Sequence, residues 1–160
     1  MTSPKIRTIE EMVPLRAEMR DSGRKLVFIN GCFDIMHVGH VRTLERARSL
    51  GDALVVAIYS DRSIREIKGP ARPLVPEAER AEILAALAPV DFVVVFDEAT
   101  PGTVIAALVP DVLVTDAGRA PDSIVGRETV ERAGGRVCRI PPLEGGATTD
   151  IIQRVLERFG

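Results

Sequence analysis

The stretch Lys25–Ser60, KLVFINGCFDIMHVGHVRTLERARSLGDALVVAIYS, decides how the chain folds. Its two ends, KLVFIN and ALVVAIYS, are apolar on consecutive positions rather than alternating, the pattern of strands covered by helices on both faces. Between them, HVRTLERARSLG repeats Val41, Leu44, Ala47 and Arg48 at intervals of three and four, and Gly51 supplies a stop, which predicts a helix. Strand, helix and strand in that order make a parallel β-α-β unit. The turn that enters its helix, GCFDIMHVGH, holds both histidines of the chain.

Outward from this unit the same alternation continues. Three further Val/Ile-rich runs, DFVVVF from Asp91, DVLVTD from Asp111 and RVCRIP from Arg136, read as buried strands. Helices are expected for PEAERAEILAALA, with Pro76 at its start, for TPGTVIAALV, for SIVGRETVERAG and for TTDIIQRVLERF. A helix over TIEEMVPLRAEMRDSG precedes the first strand and is expected against the sheet edge. The fold class is α/β: a Rossmann-like, doubly wound, five-stranded parallel sheet of order 3-2-1-4-5, because right-handed crossovers place helices on both faces. Such sheets bind ligands beyond the carboxyl ends of their strands, where the winding reverses. The loops after strands one and four, GCFDIMHVGH and TDAGRAPDS, would line that crevice. KGPARPLVP, with a Gly and three Pro, reads as an irregular crossing segment.

Composition narrows the class of partner. The 160 residues, 46% of them hydrophobic, can bury a substantial core, and residues 1–160 are expected to form one unit. The 21 basic and 23 acidic residues are well mixed and leave a net charge of −2, so no basic field recommends nucleic acid or a membrane surface. Any anionic ligand must be held by a local site. The start lacks an apolar leader core, and no run approaches the roughly 18 residues of a membrane span, so a cytoplasmic location is expected. Cys32 and Cys138 fit no paired-cysteine metal spacing and are expected to be reduced thiols. Eighteen Arg against three Lys is a bias of GC-rich genomes.

The GCFDIMHVGH turn carries the chemistry. A helix N-terminus offers unpaired N–H groups and a positive dipole, which attract phosphate. His37 and His40 stand three positions apart on its first turn and project to one side, so both can reach one group. Gly39 between them lets a ligand lie close to the backbone. These features suit attack on the α-phosphate of a nucleoside triphosphate, a reaction that needs positioning and charge stabilisation without a covalent intermediate. Two plainer readings stand beside this one: the histidines could serve only to cap and pack the helix, or could join Asp34 or Cys32 around a metal, for which the spacing is weak.

NGCFDIMHVGH resembles the signature of the cytidylyltransferase-like nucleotidyltransferases, which include glycerol-3-phosphate and ethanolamine-phosphate cytidylyltransferases and the heptose 1-phosphate adenylyltransferases. The resemblance continues through RARSLGDALVVAIYSD, ERAEILAALAPVDFVVVFDE and LEGGATTDII. It implies that His37 and His40 bind the triphosphate and stabilise the transition state, and that Gly31, Cys32 and Phe33 cradle the nucleotide while Asp34 orients the turn. It implies that Lys68 sits on a mobile loop and contacts phosphates, that Arg80 faces the acceptor, and that Thr148 and Thr149 cap a helix while donating to phosphate oxygens. It also implies Mg2+, carried without a protein metal site, and a homodimer formed through the sheet edge.

Two segments depart from the family pattern. Heptose-type relatives carry Lys-Gly-Gly-Asp-Tyr after strand four and glycerol-phosphate relatives Gly-Asp-Asp-Trp, whereas this chain reads VTDAGRAP. Asp116 on the nucleotide side and Arg119 on the acceptor side are the candidate contacts there. In the closing loop, Ala147 and Pro142 replace the family's first Ser and an anion-binding Arg, which disfavours glycerol 3-phosphate. The residue bias suits an actinomycete, and such bacteria do not build the heptose-bearing outer leaflet, so the expectation is a CTP-dependent transfer of CMP to a small phosphonate or phosphate, with 2-hydroxyethylphosphonate of fosfomycin biosynthesis as acceptor, and with residues 1–160 as one domain or a piece of a larger fused enzyme. The alternatives are heptose 1-phosphate adenylyltransferase and a noncatalytic nucleotide-binding module.

Overall fold

The computed structural model describes residues 2–141 and 148–160. Five parallel strands, β1 (Leu26–Gly31), β2 (Ala53–Tyr59), β3 (Phe92–Phe96), β4 (Val112–Asp116) and β5 (Arg136–Ile140), form one sheet in the order β3-β2-β1-β4-β5. This is the expected 3-2-1-4-5 arrangement, with strand ends within a residue or two of those read from the sequence. The strands came out of the sequence cleanly because every residue of Leu26–Phe28 and Ala53–Ile58 is buried, which demands unbroken apolar runs.

Helices cover both faces. On one, α2 (Val38–Arg48) and α4 (Glu77–Ala85) bury Leu44, Ala47, Ala81, Leu84 and Ala85 against Val27, Ile29, Leu54, Val56 and Ile58. On the other, α1 (Ile9–Asp21), α5 (Gly102–Leu108) and α6 (Arg127–Arg132) bury Met12, Met19, Val104, Ile105, Leu108 and Val130 against Phe28, Val55, Val94 and Leu113. The expectation that α1 lies on the sheet edge is therefore corrected. Met12 and Met19, on one stripe of the helix, are apolar enough to join the core of a face, and the preceding residues cover the edge instead: Ile6 bridges Val93 of β3. Helix α1 starts on a reciprocal cap in which Thr8 accepts from Glu11 N–H and Glu11 accepts from Thr8 N–H. Its buried Arg16 then pairs with Asp111 at 3.0 Å and donates to the carbonyls of Leu108 and Val109.

A helix absent from the sequence reading, α3 (Asp61–Lys68), follows β2. It is short and mostly polar, with Ile64 as its one fully buried apolar side chain, so its hydrophobic period carries little signal. Ser60 caps it by accepting from Ser63 N–H. Lys68 is consequently the last residue of a helix rather than part of a loop. The final helix, α7 (Thr148–Phe159), buries none of its described side chains.

The amino ends of the strands are sealed by carboxylates. Asp52 accepts from Lys25 N–H at 2.7 Å, Asp111 from Leu26 N–H at 2.8 Å and Asp91 from Leu54 N–H at 2.8 Å, each satisfying a donor that parallel pairing leaves over at that edge. The carboxyl ends are left to the site. No helix among the described residues is long and apolar enough to cross a membrane. Because Arg16 fixes α1 to the sheet face, Arg16→Ala should lower stability by about 3 kcal/mol, the scale of leaving a partly buried carboxylate without its partner. Urea unfolding measures this; an unchanged midpoint would show that α1 is not held there.

Candidate active site

The sheet reverses its winding between β1 and β4, and beyond their carboxyl ends lies a cavity of about 1020 Å³. Asn30 and Gly31 reach it from β1, Tyr59 from β2, Thr115 and Asp116 from β4, and Thr148 and Thr149 from the start of α7. Among the expected site residues it gathers Gly31, Cys32, Phe33, Asp34, His37, Gly39, His40, Lys68, Asp116, Arg119, Thr148 and Thr149 on its wall. Arg80 is not among them.

The histidines are built into the entry of α2. His37 is the N-cap and its Nδ1 accepts from Gly39 N–H at 3.1 Å. His40 reaches back so that its Nδ1 accepts from His37 N–H at 3.3 Å. This is a capping box made of imidazoles, the acceptor roles normally held by Ser or Thr and Glu being taken by ring nitrogens. Because each Nδ1 accepts, each neutral ring carries its proton on Nε2 and offers one N–H donor. The ring centroids lie 3.9 Å apart. Burial, helped by the neighbouring His37, pulls the His40 pKa down from 6.5 to about 4, so this donor is an uncharged imidazole at neutral pH.

The glycine between them has a reason different from the one expected. A Cβ on Gly39 would stand 2.8 Å from Cε1 of His37, so the residue makes room for the capping ring rather than directly for a ligand. Gly31 does likewise for Phe33, whose ring would meet an added Cβ at 2.9 Å. Phe33 itself has φ +50, a conformation unfavourable for a bulky side chain, and its ring centroid lies 5.3 Å from that of His40. The turn is thus strained in its backbone and packed against the catalytic candidate.

Two expected contacts are corrected. Arg80, expected at the acceptor, is wholly buried under the floor of the site, and its guanidinium donates to the carbonyls of Val75, Cys32 and Tyr59 and to the Asp61 carboxylate. With four of its N–H groups held by protein oxygens it has no face toward the cavity. Asp34, expected among the nucleotide contacts, is 3% exposed; it accepts from Leu74 N–H, Val75 N–H and Arg72 Nε. Burial raises its pKa, but those donors outweigh that and hold it below the ordinary carboxylate value. Asp34 does orient the turn, by tying it to residues 72–75.

Thr148 falls on the first residue of α7, and its hydroxyl donates to the Ile35 carbonyl at 3.3 Å rather than capping the helix. The departures at Pro142 and Ala147 lie outside the described residues. The loop after β4 is held by a residue that sequence reading missed: Arg139 on β5 donates to the carbonyls of Ala117 and Arg119, while Ala117 N–H donates to Ile140. Tyr59 and Asn30, also missed, meet at 3.4 Å between Asn30 Nδ2 and the phenol. Burial pushes the Tyr59 phenol up, as does the nearby Cys32, while Arg119 acts in the opposite direction and so stands close enough to be felt. Their position at the carboxyl ends of central strands was the available signal.

A switch-point cavity on this sheet, entered by paired imidazoles and a helix N-terminus, suits the phosphates of a nucleotide, and the comparisons with known proteins make the chain a nucleotidyltransferase. The chain belongs to the cytidylyltransferase-like family, whose profile matches residues 28–133. It is 51% identical over 155 residues to the bifunctional protein HldE of Syntrophotalea carbinolica, covering 97% of this chain and 32% of that protein. The HldE of Koribacter versatilis is 51% identical over 150 residues, with 94% and 31% covered. The chain therefore spans about a third of the length of the curated relatives it matches. Among solved structures, the lipopolysaccharide core biosynthesis protein of Thermoplasma volcanium superimposes with a TM-score of 0.65 at 26% identity, over 76% of this chain and 100% of the other. Pantoate-beta-alanine ligase of Francisella tularensis shares the fold, with a TM-score of 0.62 at 15% identity, 95% of this chain and 77% of that one being covered. The phosphonate acceptor receives no support from these relatives.

The tautomers and the depressed pKa have a measurable consequence. With only two histidines, proton or nitrogen NMR resolves both rings, and His37→Ala assigns the remaining one. The His40 ring should titrate near 4 rather than 6.5. Since the folded value lies below the unfolded one, its contribution to stability is complete above pH 6.5 and lost as the pH falls toward 4. A His40 midpoint close to 6.5 would show that the ring is neither buried nor coupled to its neighbour.

Proposed function

We propose that the chain transfers a nucleoside monophosphate from a nucleoside triphosphate to a small phosphorylated acceptor, releasing pyrophosphate, and that ATP and a heptose 1-phosphate are the substrate pair. The observation that carries the reaction class is the pair of imidazoles whose Nδ1 atoms are occupied by the backbone and whose Nε2–H groups remain for a ligand. The relatives named HldE, and the structural relative from lipopolysaccharide core biosynthesis, support the choice of acceptor, because the heptose-type branch of the family serves the sugar layer of that material.

In this reading an ionised oxygen of the acceptor phosphate attacks the α-phosphorus. A new P–O bond forms while the bond from that phosphorus to the bridging oxygen of pyrophosphate breaks, and pyrophosphate leaves with the electron pair. His37 and His40 donate hydrogen bonds to oxygens on which charge builds and need lose no proton. The amino end of α7 adds N–H donors and the Thr149 hydroxyl for the outer phosphates, while the Thr148 hydroxyl holds the Ile35 carbonyl. Lys68 and Arg119, on the wall of the same cavity, supply positive charge for the acceptor. In this reading Mg2+ comes with the triphosphate. No group of three potential metal ligands stands together among the described residues, and the Asp34 carboxylate is taken by N–H donors. Asp116 is the remaining carboxylate on the described wall, which suits an ion that arrives on the triphosphate and neutralises the leaving pyrophosphate.

A second reading, CMP transfer to a phosphonate such as 2-hydroxyethylphosphonate, keeps one observation in its favour. The stretch VTDAGRAP differs from the Lys-Gly-Gly-Asp-Tyr of heptose-type relatives, and its Asp116 and Arg119 line the cavity. Pyrophosphate release measured for ATP, CTP, GTP and UTP against heptose 1-phosphates, glycerol 3-phosphate and 2-hydroxyethylphosphonate separates the two. Turnover should require ATP with a heptose 1-phosphate; activity confined to CTP with the phosphonate would select the second reading. Tight nucleotide binding with no turnover anywhere would leave a noncatalytic module. His37→Ala and His40→Ala should each lower kcat by about a hundredfold or more, the scale of losing one transition-state donor.

A further inference from the structure

We propose that Asp34 and Arg80 are positioning residues that act as one buried brace, clamping the segment Arg72–Val75 against the Cys32–Asp34 turn and thereby fixing where Lys68 stands relative to the paired imidazoles. This rests on the nucleotidyl-transfer reading for its kinetic arm only.

The geometry is reciprocal. From the turn, the Asp34 carboxylate receives Leu74 N–H at 2.9 Å, Val75 N–H at 2.8 Å and Arg72 Nε at 2.8 Å. From beneath, Arg80 donates to the Val75 carbonyl at 2.9 Å and to the Cys32 carbonyl at 2.7 Å. Val75 is therefore held through its N–H by one member and through its C=O by the other, and Cys32 and Asp34 bracket the single residue between them. That residue is Phe33, with its φ of +50. A strained aromatic persists only where its surroundings over-determine it, and its ring, packed on His40, passes the constraint to the imidazole.

The same two side chains tie the chain on either side of the helix that carries Lys68. Arg80 grips Asp61, the first residue of α3, at 2.8 Å and the Tyr59 carbonyl just before it at 2.9 Å. The chain leaving α3 after Lys68 runs through Gly69, at φ +97, straight to the clamped Arg72. Lys68 sits between these ties and on the cavity wall. Neither Asp34 nor Arg80 makes the hydrogen bonds of a regular element; every partner is a loop or an element end bordering the site. If the need were only to fill volume, apolar side chains would serve as well and without the desolvation of two charges. What apolar groups could not do is hold four segments by directed hydrogen bonds.

Two measurements test the brace on the full chain. In hydrogen exchange, Asp34→Asn should speed exchange of the Leu74 and Val75 amides about tenfold or more, with circular dichroism and the exchange of β1 and β2 unchanged. In a double-mutant cycle on kcat, Lys68→Ala should slow the wild-type reaction by about tenfold or more, but slow the Asp34→Asn enzyme by less than about threefold, because the lysine is already misplaced. Arg80→Lys, which keeps the charge and loses the fork, should fall on the side of Asp34→Asn, with kcat lowered more than the KM for nucleotide is raised. If Asp34→Asn does not fold, Arg80→Lys, which loses the fork that holds the Val75 carbonyl, replaces it in both arms. Unchanged exchange at residues 74 and 75 would overturn the brace whether or not the enzyme turns over any substrate. Additive losses in the cycle, or a Lys68→Ala enzyme as active as wild type, would overturn its link to the lysine and leave nucleotidyl transfer itself standing.

Discussion

The molecule's chemistry depends on two hydrogen bonds from backbone N–H to imidazole Nδ1, Gly39 to His37 and His37 to His40. Each satisfies a donor that the start of a helix leaves without a partner, and each fixes which nitrogen of a ring carries the proton. Capping and catalysis are usually rival explanations for a histidine at a helix start. Here they are one arrangement, because a neutral ring presents Nε2–H only when Nδ1 is unprotonated, and accepting the backbone N–H at Nδ1 selects that tautomer. The depressed pKa of His40 works the same way: burial that forbids the charged form preserves a donor whose state does not change across neutral pH.

A neutral donor at His40 suits a reaction in which charge moves from an α-phosphate onto departing pyrophosphate. A fixed cation on that ring would hold the ground-state triphosphate tightly as well as the transition state, which lowers KM without raising kcat. The lysine and arginine charge of the cavity stands on its side walls, at Lys68, Arg72 and Arg119. Arg72 is itself tied to Asp34, so the cations differ in their freedom. The Arg119 loop is held by Arg139 on the neighbouring strand, which makes its course a property of β5 as well as of the loop.

Strands, their order and the switch point were legible from Lys25–Ser60 because burial on both faces leaves no choice of residue type at consecutive positions. The cluster of His37, His40 and Gly39 was legible because a turn that caps a helix and binds phosphate needs several special residues at fixed spacing. Arg80 was not. An arginine on an amphipathic helix has the same letter whether it faces water or lies under the floor of a site, and only the carbonyls of Cys32, Tyr59 and Val75 distinguish the two. Asp34 was read as orienting the turn, but its partners lie 38 to 41 residues away, on a segment whose Gly and Pro content showed irregularity and not attachment. Helix α1 went to a face rather than an edge because Met12 and Met19 found an open side of the sheet beside α5, a matter of tertiary space that its own period does not record.

The two ends of the sheet divide stability from function. At the amino ends, Asp52, Asp91 and Asp111 close leftover strand donors with short local bonds, and nothing there needs to recognise a ligand. At the carboxyl ends the leftover groups are carbonyls, which only donors can satisfy, and a single arginine supplies them for both β1 and β2 through Cys32 and Tyr59. Lysine could not do so, since three donors on one nitrogen cannot address carbonyls on separate loops as a planar fork does. Placing that fork beneath the sheet ends leaves the upper side of the same turn, with the N–H groups and imidazoles, free of structural cations. A phosphate arriving there meets donors aimed at it and a backbone whose own polarity has been satisfied from below.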